Sequence, residues 1–128
     1  MSEDNKLRVV MVEPGKPAYE TEIENTLKAE QEAVGGYIEV LPLDNKKLLI
    51  CNEEGKLNGM QGNRRVENDI IAGPFFIVGD DGDEFRSLTE KEVKESLKRF
   101  AEPEEISQEE VENAMSAGVM FFWIKGGV

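Results

Sequence analysis

The sequence predicts an α+β domain with a mostly antiparallel, mixed sheet, in the order β-α-β-β-β-β-α-α, its helices packed on the sheet. Three observations point there. Short runs rich in β-branched and aromatic residues, such as Leu7–Val12 and Phe75–Val78, are bounded by turn residues. Successive strand-like runs follow one another across short turns, as antiparallel neighbours do. Between and after them lie stretches with apolar residues at helical spacing and glutamates on the other face.

Taken in order, Leu7–Val12 (LRVVMV) reads as a buried strand, ended by Glu13-Pro14-Gly15-Lys16-Pro17, where two prolines and a glycine break a ladder. Ala18–Val34 reads as a helix: Tyr19, Ile23, Leu27 and Val34 fall near one face, Pro17 suits the first turn and Gly35 the residue past the end. Tyr37–Leu43 and Lys47–Cys51 read as a hairpin about Asp44-Asn45, with Asn52–Lys56 turning the chain again. Beyond a Gly/Asn/Arg-rich loop, Asn58–Asn68, an apolar run at Ile70-Ile71 and Pro74–Val78 is interrupted by Gly73-Pro74. Phe75, Phe76, Ile77 and Val78 are expected at the centre of the core. Asp80–Asp83 makes an acidic turn into a short returning strand, Glu84–Ser87.

Two helices close the chain. Thr89-Glu90-Lys91-Glu92 is a capping box with Val93, Leu97 and Phe100 on one face behind it. After Pro103, a second box at Ser107–Glu110 precedes Val111, Ala114, Met115, Val119 and Phe122 at helical spacing. The cluster Phe121–Ile124 is expected to pack on the sheet rather than to mark a partner surface.

A chain of 128 residues suits one domain with its own core, and 39% hydrophobic with 33% charged residues is a globular composition. No apolar run approaches the roughly 20 residues of a membrane helix. The acidic start MSEDNKLRVV lacks the apolar core of a signal peptide, and the lone Cys51 suits a reducing compartment. A cytoplasmic location is therefore expected.

The net charge of −12 disfavours binding to a phosphate backbone, so no direct nucleic-acid contact is expected. It leaves two readings: a solubilising surface, or an acidic face that imitates nucleic acid or docks on a basic partner. The charge is uneven. Lys46–Arg65 holds five basic and two acidic side chains, whereas Asp80–Glu112 holds thirteen acidic and five basic ones.

With no histidine, Ser-His, Cys-His and His-metal chemistries are excluded. Cys51 lies in an apolar run, LLICN, and reads as a buried, inert strand cysteine. Asp80-Asp81-Gly82-Asp83-Glu84 lacks the ligand spacing of a calcium loop. GKLNGMQGNRR is neither a P-loop nor a strand-to-helix GxGxxG element. No catalytic residue, metal ligand or cofactor is thus assigned.

The candidate ligand-binding residues are Asn58, Gln61, Asn63, Arg64 and Arg65, with Tyr19 and Tyr37 bordering the same pocket. Amides both donate and accept, and a guanidinium grips carboxylate or phosphate through two bonds, an inventory suited to a small anionic ligand, a nucleotide or an acidic peptide. The alternative is a self-satisfied loop whose arginines pair with Glu53, Glu67 or Asp69, the tyrosines serving as core or rim packing.

Several runs carry a resemblance in this order: Val12–Tyr19, Val34–Val40, Asn52–Leu57, Gly62–Arg65 and Gly73–Gly79. Together they resemble a small bacterial family called domain of unknown function 3846. The resemblance spans residues 7 to 100 of a single domain over 1–128, leaving 101–128 as a C-terminal helical and aromatic extension. It implies an accessory protein of a phage, plasmid or other mobile element, one that interferes with host defence or regulation, and it assigns no residue a role. Three functional readings follow: a non-enzymatic protein that sequesters a small anionic ligand or inhibits a host protein, an acidic decoy of a nucleic-acid-handling protein acting through Asp80–Glu112, and a carboxylate-dependent enzyme. Nothing in the chain sets an oligomeric state.

Overall fold

Three strands form the core because each is apolar on both of its faces. A computed structural model describes residues 5–115. The elements are β1 (Lys6–Val12), β2 (Tyr19–Glu24), α1 (Leu27–Val34), β3 (Ile38–Pro42), β4 (Lys47–Asn52), β5 (Gly62–Val66), β6 (Asp69–Ala72), β7 (Phe75–Asp81), β8 (Glu84–Arg86) and α2 (Glu90–Arg99). A last helix, α3, covers residues 108–115. The main sheet runs β2-β1-β7-β4-β3, with β8 added beside β7, and every pairing in it is antiparallel. The fold is the expected α+β arrangement.

In β1, β7 and β4, side chains alternate between two apolar layers. Val10, Val12, Leu49, Cys51, Phe75 and Ile77 meet Val93 of α2 together with Leu88, Phe100 and Ile71 on one side. Leu7, Val9, Met11, Ile50, Phe76 and Val78 meet Val34 of α1 on the other. Covering both faces explains why these strands read as near-continuous apolar runs. Each fully buried large side chain contributes about 1.5–3 kcal/mol. Phe75 and Phe100 meet edge to face, ring centroids 5.3 Å apart, fixing the end of α2 on the sheet.

The helix expected over Ala18–Val34 is corrected by the structure. Tyr19–Glu24 is the edge strand β2, paired with β1 from Met11↔Tyr19 to Lys6↔Glu24. Half-buried Thr21 and Ile23 alternate with exposed Glu20, Glu22 and Glu24. The helix starts only at Leu27, behind the N-cap Thr26, whose hydroxyl accepts from the Ala29 amide at 3.1 Å. Pro17 therefore precedes a strand. The end is as expected: Gly35 takes φ 82°, and its amide donates to the Gln31 carbonyl. Buried Asn52 then anchors that end to β4, donating to the Val34 carbonyl at 3.1 Å.

The Asn58–Asn68 loop is also corrected. It contains β5, which pairs with β6 in a separate two-stranded sheet about a Glu67-Asn68 turn. The hairpin adds Ile71 to the layer under α2, with Val66 packed against it. Both capping boxes form. Glu92 and Thr89 exchange side-chain-to-backbone bonds, as do Glu110 and Ser107. α3 seats Val111 in the interior, close to Gly62, where Ile106 leaves no room for a β-carbon. The expected positions of Val119 and Phe122, and of the Phe121–Ile124 cluster, lie outside the described residues. No helix among the described residues is long and apolar enough to cross a membrane.

Candidate functional site

The two arginines of the β5 strand have opposite surroundings. A register shift between Gly62 and Arg64 turns both Asn63 and Arg64 inward, as a bulge does. Asn63 donates to the carbonyls of Val12 and Gly73, both at 2.9 Å. Arg64, only 1% exposed, donates through Nη1 to Asn63 Oδ1 at 2.8 Å. Its Nη2 donates to the carbonyls of Lys16 at 2.7 Å and Phe100 at 2.8 Å. The guanidinium thus caps the C-terminal end of α2, where carbonyls lack helical partners, and ties that end to the β1–β2 loop. Burial lowers the Arg64 pKa, with Glu104 opposing the change, and Nε has no partner among the described residues.

Arg65 points outward. Its backbone amide and Nη1 donate to Glu104 Oε1, and Nη2 donates to Glu110. Both carboxylates come from the segment that leads into and opens α3, and not from Glu53, Glu67 or Asp69. Those last two pair instead with Arg99 and Lys56.

The remaining sequence candidates do not join the arginines. Asn58 is exposed in the turn after β4, its amide bonded to the Glu54 carbonyl. Gln61 borders an open depression with Gly15, Pro103 and Ser107. Tyr19 sits on β2 and donates to Glu13 at 2.7 Å, a bond that raises its hydroxyl to about 12. Tyr37, 69% exposed, borders a shallow surface beside Gly35 and Gly36. Tyr19, Gln61 and Tyr37 thus edge three separate depressions.

A different feature has the shape of a binding site. Between the end of β4, the turn after it and β6 lies a cleft of about 320 Å³. Cys51, Leu57, Ile70, Ile71, Ala72 and Met115 supply its apolar wall. Glu39, Glu53, Glu54 and Asp69 supply carboxylates, and Lys56 is the one cation among the described residues, its Nζ held by Asp69. Such a volume lies at the lower end for small-ligand sites. Gly55 makes the turn fit: a β-carbon there would stand 2.4 Å from the Ala72 carbonyl. Burial, reinforced by nearby Glu39, pushes the Cys51 thiol up to about 12, so it stays neutral. The cleft suits the packing of an apolar group rather than nucleophilic chemistry. Its one trace in the sequence is Leu57, a large apolar residue in an otherwise polar turn, which the structure leaves 66% exposed.

The structure therefore defines an α+β domain with a two-sided antiparallel sheet and an apolar, acid-rimmed cleft at one end of it. The chain belongs to the family described as Domain of unknown function (DUF3846), which matches residues 7–101, from β1 to just past α2. No curated protein and no solved structure matches the chain.

Proposed function

We propose that this chain is a non-enzymatic binding protein, an accessory factor of a bacterial mobile element or phage that holds a host target at the cleft beside Cys51 and Leu57. The cleft itself carries this reading: it is walled by apolar side chains, and its one thiol is held neutral. Arg64 is engaged with three partners of its own chain, and among the described residues carboxylates outnumber cations at the rim. The preferred target is thus an apolar side chain of a host protein, flanked by basic groups, in preference to a small anion. The mobile-element setting rests on family resemblance.

An affinity purification from the native host with the full chain, run beside Leu57→Asp, tests the proposal. The expected outcome is a host protein retained by the wild type and lost with the variant. Equal retention by both removes the cleft as the binding site.

The acidic-decoy reading has less support. Within Asp80–Glu112, Glu92 is paired with Arg86, Glu95 with Lys47, and Glu104 and Glu110 with Arg65. Those carboxylates are partly neutralised before any partner arrives.

A further inference from the structure

We propose that the Cys51–Leu57 cleft is the docking site for this chain's own segment 116–128, which seats an aromatic side chain there. Three observations converge. Met115, the last described residue of α3, is itself part of the cleft wall, so residue 116 begins at its edge. At about 3.3 Å per extended residue, the four residues from Met115 to Val119 can span up to about 13 Å, so reach is no obstacle.

The second observation is composition. Val119, Met120, Phe121, Phe122, Trp123 and Ile124 form an unbroken apolar run that water would leave unfavourably exposed. The cleft offers a matching surface, including the exposed side chain of Leu57, with room for one large aromatic group. Charge is the third. The segment contains Lys125 and no acidic side chain, whereas the rim holds Glu39, Glu53, Glu54 and Asp69 against Lys56.

Docking makes the segment a built-in competitor for any outside target. That regulatory consequence rests on the function proposed above; the docking itself does not.

Trp123 is the single tryptophan of the chain, so its fluorescence reports on the segment alone. In the full-length wild type, emission should be blue-shifted, shielded from acrylamide and independent of protein concentration. Leu57→Asp alters an exposed position, so the fold should persist by circular dichroism while emission shifts to the red and quenching rises severalfold. Ile70→Asp, on the facing wall, should act in the same way. Emission in the wild type as quenchable as a free indole overturns the proposal, as does protection that survives both substitutions. Protection that grows with concentration assigns the cleft to a second copy and likewise overturns it. None of these readouts needs a target, so a failed purification and a failed docking remain distinguishable.

Discussion

The Arg64 guanidinium donates to the Phe100 carbonyl at 2.8 Å, across 36 positions of sequence, from an almost fully buried position. The same Nη2 holds the Lys16 carbonyl, so one side chain fastens the β1–β2 loop, the β5–β6 hairpin and the end of α2 together. Arg64→Ala would remove three charged hydrogen bonds, leaving buried Asn63 Oδ1 without its donor and the Phe100 carbonyl with the Ala18 amide alone, and charged hydrogen bonds are worth about 1.5–3 kcal/mol each. The expected loss in a urea titration is about 3 kcal/mol or more. Arg65→Ala, at the neighbouring exposed position, should lower the melting temperature only slightly, by an amount that shrinks with added salt. Equal, small effects at both positions would contradict the buried assignment.

Acid should weaken the junction between β8 and α2. Arg86 donates through both terminal nitrogens to Glu92, at 2.8 and 3.0 Å, and the Thr89 amide adds a third bond. The Arg86 guanidinium, against the opposing effect of burial, holds the Glu92 carboxyl down at about 2 from an ordinary 4.5. A lowered acid contributes its full stability above 4.5 and loses it as the pH falls toward 2. The contribution is at most about 3 kcal/mol. Unfolding free energy measured from pH 6 down to 2 should therefore fall less steeply in Glu92→Gln. Glu30 works in the opposite direction, because burial raises its carboxyl and its contribution declines as the pH rises. An unchanged acid slope in Glu92→Gln would exclude Glu92 as its source.

The thiol of Cys51 should be nearly inert in the folded protein. It is 3% exposed and stays protonated far above neutrality, so the reactive thiolate is scarce. Alkylation by iodoacetamide at neutral pH is expected to be slow and to accelerate in step with unfolding as denaturant is added. Rapid, stoichiometric labelling without denaturant would show that the cleft wall opens.

The β5–β6 turn stores a small strain. Glu67 adopts φ 56°, a left-handed conformation unfavourable for its side chain, in a two-residue hairpin connection that favours Asn or Gly. Glu67→Gly should stabilise the protein by about 0.5–1 kcal/mol, the gain from relieving the strain exceeding the loss of an exposed pair with Arg99. A thermal melt checks the sign; a lower melting temperature would mean the Arg99 contact dominates.

The core strands were legible because Leu7–Val12, Lys47–Cys51 and Phe75–Val78 are apolar on both faces, and α2 because its capping box is local. β2 is ambiguous in the sequence for a geometrical reason. Tyr19 and Ile23 are four residues apart, and four is both close to one helical turn and two strand repeats. The alternation of Glu20, Glu22 and Glu24 with Thr21 and Ile23 was the discriminating signal. The burial of Arg64 had no local signal, since its partners Lys16 and Phe100 lie 48 and 36 positions away. The cleft as a whole is not legible in the sequence, because its walls come from β4, the turn after it, β6 and α3, which only the folded chain assembles.

The position of β7 between β1 and β4 has a consequence for synthesis on the ribosome. The β1–β2 and β3–β4 hairpins pair with β7 and not with each other. Until residues 75–81 have left the exit tunnel, the nascent chain carries two ribbons with open edges and no bridge between them. Sheet closure waits for a strand encoded past the midpoint of the chain, so both ribbons need protection from foreign strands during that interval.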